Sequence, residues 1–455
     1  MEQSMEARQK TRGNQAAVNL TDGSVKYGLI RFSLPILIGN LFQQMYNAVD
    51  SLIVGNFVGS TALAAVTSTG TLIYLLVGLF YGVAMGAGVV IARFIGAKDD
   101  ENISRSVHTT VAFGLVVSVL LAVVGAAASP TLLHLMDTPD NVMSEATTYL
   151  TIYFAGIVGL VMYNVLVGIM QAAGDSRHPL YYLIFSSCLN IVLDLALICI
   201  FGMGVGGAAL ATVISQITSA ILLFVRLMRL EEAYGIRIRK IRIDGGMLLD
   251  IVRVGVPSGV QNCAHALSNV VIQSYINGYG SAAMAGIGAY VKVEGFALLP
   301  LTSLSLAVST YVSQNLGAGK KDRVDEGVRF TLTIGIIMIQ LIGVILFLFS
   351  PQLIGLFSSD PEVIAYGVGR ARVGTVFFFL LAYTQLMTGI LRGCKHSAEP
   401  MAVFILFWCV MRTLIMAVGS QFTASVALTY WVYPITWLMS SAALFFLWRR
   451  IRKTL

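Results

Sequence analysis

Long runs without a charged residue decide what this chain can fold into. Five of them cover residues 51–92, 111–128, 202–225, 331–359 and 413–447. A helix needs about 20 apolar residues to cross the hydrocarbon layer of a bilayer, so the longest runs accommodate two crossings joined by a tight turn. Charged residues make up 12% of the chain, whereas a soluble domain carries about 25%. The charged surface helices that a soluble protein needs between such runs are missing.

The apolar runs predict an all-α polytopic membrane protein with about twelve transmembrane helices. Helices are expected throughout because lipid offers no water to free backbone groups. The alternation of polar and apolar residues typical of a β-barrel is not seen. The predicted spans are residues 28–56, 61–92, 107–128, 147–173, 179–201, 205–229, 249–279, 283–314, 327–349, 364–392, 399–419 and 424–448.

Lysine and arginine gather in alternate loops. Residues 93–105, 226–253 and 320–329 are rich in them, while the intervening loops contain none. The positive-inside rule then places the basic loops and both termini in the cytoplasm, as expected for a multi-pass protein of a bacterial inner membrane. The net charge of +7 therefore reflects topology, and no nucleic-acid partner is expected. Residues 1–27 are polar, lack the apolar core of a signal peptide, and predict a loose cytoplasmic tail.

The two halves of the sequence repeat each other. A shift of 221 positions relates Gly96-Ala97 to Gly317-Ala318, Ser129-Pro130 to Ser350-Pro351, and Pro179 to Pro400. Each half holds six spans, an even number, so the two bundles have the same orientation and surround a central cavity. The predicted organisation is a tail at 1–27, a bundle at 28–229, a cytoplasmic linker at 230–248, a second bundle at 249–448 and a tail at 449–455.

Ionisable residues inside the spans are the candidates for function, because each is costly in lipid. Asp50 lies in the first span and Asp194 in the fifth, one helical turn after Asn190. Thr212 in the sixth span can return to a similar depth. Two carboxylates, an amide oxygen and a hydroxyl form an all-oxygen set, which suits Na⁺ or a pair of carboxyl groups that share and release protons. The second half has Ile272 and Ile415 where the first has Asp50 and Asp194.

Other polar residues in the spans are candidates for lining the substrate cavity. These are Gln44, Asn47, Asn262, His265 and Glu294. Lys292 lies two positions from Glu294, so the two side chains cannot face the same way on a helix. No role is assigned to Lys292, and none to Arg370 or Arg412, which lie inside the tenth and eleventh spans.

These motifs together resemble the multidrug and toxic compound extrusion (MATE) family over about residues 25–450. The segments that carry the resemblance are 50–55, 93–97, 168–175, 190–194, 204–212 and 314–318, together with Pro35. The resemblance implies a V-shaped fold of two bundles that exports cationic or amphipathic compounds in exchange for Na⁺ or H⁺. It also maps the family's cation site onto Asp50, Asn190, Asp194 and Thr212. The chain is more similar to the DinF-like than to the NorM-like branch, whose members carry an acid where this chain has His265.

Several alternatives follow from the same residues. A lipid or glycan-precursor flippase of the same superfamily would need a larger and more basic cavity. A membrane-embedded enzyme would need a convergent cluster of histidine, cysteine or acidic residues, and none is apparent. The absence of a Walker motif disfavours an ATP-driven pump. We therefore expect an antiporter with small-molecule substrates, no cofactor apart from the coupling ion, and a monomeric state in the bilayer.

Overall fold

The computed structural model describes residues 17–136 and 138–454, apart from the side chains at positions 71, 72, 75 and 76. The predicted tail at residues 1–16 lies outside the described residues. In the described ranges the chain is helical and contains no β-strand. It forms twelve long helical segments, six in each half of the sequence, which confirms the all-α prediction.

The segments follow the predicted spans closely. In the first half they are α1 (Val25–Phe57), α2 (Ser60–Ala97), α3 (Asp100–Leu135), α4 (Asp140–Ala155 with Val158–Ala172), α5 (Arg177–Asp194 with Leu195–Ile200) and α6 (Gly204–Arg229). In the second half they are α7 (Gly245–Asn277), α8 (Ser281–Ala297 with Leu299–Gly317), α9 (Lys321–Gly355), α10 (Pro361–Val376 with Phe378–Gly393), α11 (Ala398–Phe404, Ile405–Met411 and Arg412–Phe422) and α12 (Ala427–Ile451).

Most of these segments satisfy the length and apolarity needed to cross a membrane. Eight do so as single helices, and the number rises to eleven when each bent pair is counted as one span. The bent pairs are α4, α8 and α10, with bends of 48°, 41° and 60°. The remaining segment, α7, is 33 residues long but more polar, because it carries Gln261, Asn262 and His265 in its middle.

Serine and aspartate caps begin several helices at the loops. Ser24 accepts a hydrogen bond from the backbone of Tyr27 at the start of α1, and Asp244 does the same for Met247 at the start of α7. Such caps satisfy backbone N–H groups that have no partner within the helix. We call the end of the bundle that carries Lys98, Arg177, residues 226–253 and Lys320 the basic face.

The two halves contact each other closely between the middle of α2 and the basic face. Gly82 and Gly86 of α2 lie directly against Gly259 and Gly255 of α7, where a Cβ atom would collide with backbone. Gly96, at the end of α2, meets the backbone of Gln314 in α8 in the same way. Small residues allow helix backbones to approach closely in a membrane, so these glycines bring the two halves together from the middle of α2 and α7 to the basic face.

The segment before α1 is docked rather than loose. The backbone N–H of Val18 donates to the carbonyl of Gly174, after α4, at 2.9 Å. The Asn315 side chain of α8 donates to the carbonyl of Leu20 at 3.0 Å, and Leu20 is only 1% exposed. Residues 18–24 therefore contact both halves at the basic face. The expectation of a loose tail is wrong for these residues, because Leu20 has an apolar site to fill.

Candidate functional site

The fifth helix changes its hydrogen-bond pattern directly after Asp194. The regular part of α5 ends at Asp194 and continues as a π-helical turn, Leu195–Ile200. Such turns are rare and occur frequently at functional sites. The repeat mate of α5 is α11, which contains a π-helical turn, Ile405–Met411, ending just before Arg412. Each half therefore places one buried ionisable side chain beside a π-helical turn.

Asp50 and Asp194 share one buried pocket. Asp50 on α1 is 8% exposed and Asp194 is fully buried, and their carboxyl groups interact directly with each other. Neither forms a salt bridge with another described residue. Each also has an oxygen, Oδ1, without a hydrogen-bond partner. Two buried carboxyl groups this close cannot both be ionised without a compensating cation. The pocket therefore suits a proton or a small metal cation.

Asn190 and Thr212 complete the pocket, and both are buried. In the amide orientation that satisfies both neighbours, Nδ2 of Asn190 donates to Oδ2 of Asp194 at 3.2 Å. Its Oδ1 then accepts the backbone N–H of Thr212 at 3.3 Å. The structure thus brings all four predicted residues together. It differs from the expected all-oxygen set in one respect: Asn190 turns a donor toward Asp194, because its oxygen is held by the backbone of α6.

Three tyrosines surround the pocket that were not predicted from the sequence. Tyr46 lies one turn before Asp50 on α1 and interacts with the Thr212 side chain. Tyr149 and Tyr153 of α4 are stacked with ring centroids 6.1 Å apart, and Tyr149 lies close to Asp50. The spacing of four between Tyr46 and Asp50 was a usable signal, since residues four apart share a helix face. The approach of α4 had no comparable signal.

Two cavities lie beside these residues. A polar cavity of about 30 Å³ is lined by Asn190 and Thr212, which is enough room for a water molecule. A second cavity of about 100 Å³ lies between the halves, walled by α1, α2, α4 and α5 on one side and by α8 and α10 on the other. We call it the interlobe cavity. Gln43, Tyr163 and Leu183 line both, so the small polar cavity beside Asn190 and the interlobe cavity share a wall.

The chain matches one protein family in both of its halves. The MatE family model matches residues 35–196 and again residues 257–417, and these two stretches are related by the internal repeat. The chain belongs to the MATE family. Members of this family are multi-pass membrane transporters and not enzymes, in agreement with the sequence analysis.

Individual relatives cover nearly the whole MATE chain. The probable multidrug resistance protein YoeA of Bacillus subtilis is 30% identical over 94% of this chain and 95% of its own. The multidrug export protein MepA of Staphylococcus saprophyticus is 25% identical over 84% of this chain and 84% of its own. A solved MATE family transporter in an outward-facing conformation superposes with a TM-score of 0.90 at 24% identity, over 96% of this chain and 98% of its own. These likenesses confirm the V-shaped MATE fold, while the DinF-like branch stays a prediction.

The predicted cavity residues of this MATE transporter have varied surroundings. His265 packs against Trp408 with ring centroids 5.3 Å apart. Glu294 accepts a hydrogen bond from the hydroxyl of Tyr290 at 3.0 Å. Gln44, Asn47 and Asn262 are partly or fully exposed on α1 and α7. None of the five lines the interlobe cavity or the smaller polar cavity, so their role in substrate binding stays a prediction. Lys292 points away from Glu294, toward Phe357, as their spacing predicts.

The two arginines without an assigned role share one aromatic ring. The guanidinium carbons of Arg370 and Arg412 lie 3.9 Å and 4.4 Å from the centroid of Tyr433. Arg412 also donates to Ser268 at 3.0 Å and to Thr436 at 3.1 Å. A cation over an aromatic face is attracted by the ring quadrupole. The ring of Tyr433 and these hydroxyl groups therefore offset the cost of burying two positive charges in the second half.

Proposed function

We propose that this MATE transporter is a secondary antiporter that exports small amphipathic molecules, cationic ones included, in exchange for H⁺ or Na⁺ by alternating access. The proposal is carried by the buried pair of Asp50 and Asp194, which have no basic partner among the described residues. Binding of one cation changes the charge of a pocket sealed among helices. The names of the relatives, which refer to multidrug resistance and export, support a drug-like substrate class.

The contacts of the pocket favour the proton as the coupling ion. The two carboxyl groups face each other, and Asn190 presents N–H rather than oxygen to Asp194. A shared proton satisfies this arrangement without further ligands, whereas Na⁺ would need several oxygens around it. We therefore propose H⁺ and keep Na⁺ as the alternative, for which Asn190 would have to turn its oxygen inward.

The shared wall between the cavities provides a route for coupling. Gln43 and Tyr163 line both the interlobe cavity and the small polar cavity, whose wall also contains Asn190, the hydrogen-bond partner of Asp194. A change of charge at Asp194 therefore acts on groups that also border the substrate. An ion can shift the balance between two openings only by binding one of them better. Useful exchange needs a coupling free energy of only about 1–3 kcal/mol.

The flippase alternative receives less support from the cavity. A glycan-precursor pyrophosphate calls for a large and strongly basic chamber. The interlobe cavity measures about 100 Å³ and holds one basic side chain, Arg392. The proposed antiporter, with both termini in the cytoplasm and no partner subunit, therefore accounts better for the observed geometry.

Transport by purified protein in liposomes tests the proposed function. A pH gradient is imposed across the vesicle membrane, and uptake of the fluorescent cation ethidium is followed with and without Na⁺. We expect uptake by the wild type to follow the pH gradient. Asp194→Asn should abolish this uptake, because an asparagine side chain does not bind and release a proton as a carboxyl group does. Asp325→Asn is the matched control, since Asp325 pairs with Arg452 at the surface and should leave uptake unchanged.

Two outcomes would count against the proposal. Uptake that ignores both the pH gradient and Na⁺ would remove the antiport mechanism. Equal uptake by the wild type and Asp194→Asn would separate transport from the carboxyl pair. A response to Na⁺ alone would reject the proton and leave the Na⁺ alternative.

A further inference from the structure

The interlobe cavity has an unexpected charge for an exporter of cations. Its lining, among the residues that the structure describes, contains one charged side chain, Arg392 of α10, and no carboxylate. The rest of the wall combines apolar residues such as Val89 and Leu306 with amides and hydroxyls. The cavity is therefore amphipathic with a positive end.

Arg392 is buried without an adequate partner. It is 8% exposed, and it forms no salt bridge with any residue in the described part of the chain. Its Nε lies 3.4 Å from Oγ of Ser309, and its Nη1 lies 3.4 Å from the sulfur of Met85. Both contacts are long, and a guanidinium has five N–H groups to satisfy. A buried charge with so few partners is costly.

The other two buried arginines of the second half have closer partners than Arg392. Arg412 donates to two hydroxyls at 3.0 Å and 3.1 Å and lies over Tyr433. Arg370 lies 3.9 Å from the same ring. Arg392 has one long contact with a hydroxyl and no aromatic ring beneath it among the described residues, and it borders an open volume instead. Its surroundings are those of a binding residue rather than a packing residue.

The internal repeat places a second polar group opposite Arg392. A shift of 221 positions relates Arg392 to Gln171, and both side chains line the interlobe cavity. Ser176, which is 3% exposed and whose hydroxyl has no partner, lines it as well. A guanidinium, an amide and a free hydroxyl are the donors that bind a carboxylate, sulfonate or phosphate oxygen.

We propose that the interlobe cavity binds the acidic group of an amphipathic molecule, with Arg392 as its ion-pairing residue and Gln171 and Ser176 as further donors. The apolar wall then holds the body of the molecule. This inference rests on the proposed function, because it takes the interlobe cavity as a place where exported molecules bind. It extends the substrate class to anionic and zwitterionic amphiphiles. An anionic lipid headgroup offers the same chemistry and is the second possible source of the acidic group.

Binding of two matched ligands tests the proposal. The probes are 2-naphthoate and 2-naphthamide, which have the same shape and differ in charge. Their affinities are measured by calorimetry on the full chain in phosphatidylcholine nanodiscs. We expect the wild type to prefer naphthoate by about tenfold or more, the range for a hydrogen bond to a charged group. Arg392→Gln should remove this preference and still bind the amide. Arg392→Lys should keep part of it.

The control is Arg372→Gln, the same substitution on an exposed arginine of α10, which should bind like the wild type. Equal affinity of the wild type for both probes, or a preference that survives in Arg392→Gln, would overturn the proposal. Binding of 2-naphthamide by Arg392→Gln shows that this variant is folded. If Arg392→Gln does not fold, the naphthoate preference of Arg392→Lys tests the proposal instead.

Two further measurements are needed. One distinguishes a lipid phosphate from a free acidic ligand, and the other distinguishes failure of this inference from failure of the proposed antiport. If phosphatidylglycerol nanodiscs suppress naphthoate binding by the wild type but not amide binding by Arg392→Gln, the same donors hold a lipid phosphate. Failure of the antiport proposal appears instead as uptake of ethidium that ignores all ion gradients. That result can occur while the preference for naphthoate persists, so the two failures are distinguishable.

Discussion

Tyr433 is the residue on which the buried charge of the second half depends. Its ring lies within 4.4 Å of the guanidinium carbons of both Arg370 and Arg412. Each arginine also has one nitrogen without a hydrogen-bond partner. The ring face is therefore a major compensation for two charges that have no carboxylate within salt-bridge distance among the described residues.

We expect Tyr433→Leu to lower the free energy of unfolding by about 1–4 kcal/mol, since each buried cation–π contact contributes about 0.5–2 kcal/mol. Tyr433→Phe keeps the ring face and should cost clearly less. The melting temperatures of the three proteins in detergent measure the difference. Equal melting of the Leu and Phe variants would show that the ring face contributes nothing.

Single residues of the carboxyl pocket were predictable because an ionisable group inside a span is costly in lipid. That argument identified Asp50 and Asp194, and helical spacing added Asn190. It could not give the orientation of the Asn190 amide, which depends on the backbone N–H of Thr212 in another helix. Span position gave no signal for Arg392, because that residue is the last of its predicted span, where a basic residue is expected.

At the scale of helices, the contact between α2 and α7 holds the halves together at the middle of both helices. Gly82 lies against the backbone of Gly259 with no room for a Cβ atom. At Gly70, on the same helix, the described residues leave open space at the position of a Cβ. The two glycines therefore form a matched pair for testing the contact.

Gly82→Ala should destabilise the protein by about 1–3 kcal/mol, the usual cost of overpacking, because neither backbone can move without separating the halves. Gly70→Ala should be neutral or slightly stabilising, since alanine favours a helix more than glycine does. Thermal unfolding in detergent checks both, and transport in liposomes shows whether the closed basic face is needed. An unchanged melting temperature for Gly82→Ala would contradict the tight contact.

The positions of the helices were predictable, but their breaks were only partly so. The apolar stretches and the loop charges located all twelve segments, with ends that differ from the observed ones by at most seven residues. The bend in α8 coincides with Pro300, which has no N–H and favours the first turn of a new helix. The bend in α4 falls near Gly156, which lies against Val213 of α6. That packing depends on the tertiary structure, so no pattern within α4 indicated it.

At the scale of the whole molecule, the two halves repeat in sequence but differ in charge. The first half buries Asp50 and Asp194, and the second buries Arg370, Arg392 and Arg412. The repeat and the even number of spans predicted the parallel orientation of the halves. The V shape came from the resemblance to the MATE family, since composition and spacing contain no information on how two bundles lean against each other.

The proposed exchange requires the pair of Asp50 and Asp194 to give up a proton when a substrate binds. Proton release from purified protein in weakly buffered detergent, recorded with a pH indicator as ethidium is added, measures this directly. The account predicts a saturable acidification with the wild type and with Asp325→Asn, and none with Asp194→Asn. Acidification of equal size with Asp194→Asn, at equal binding of ethidium, would contradict it.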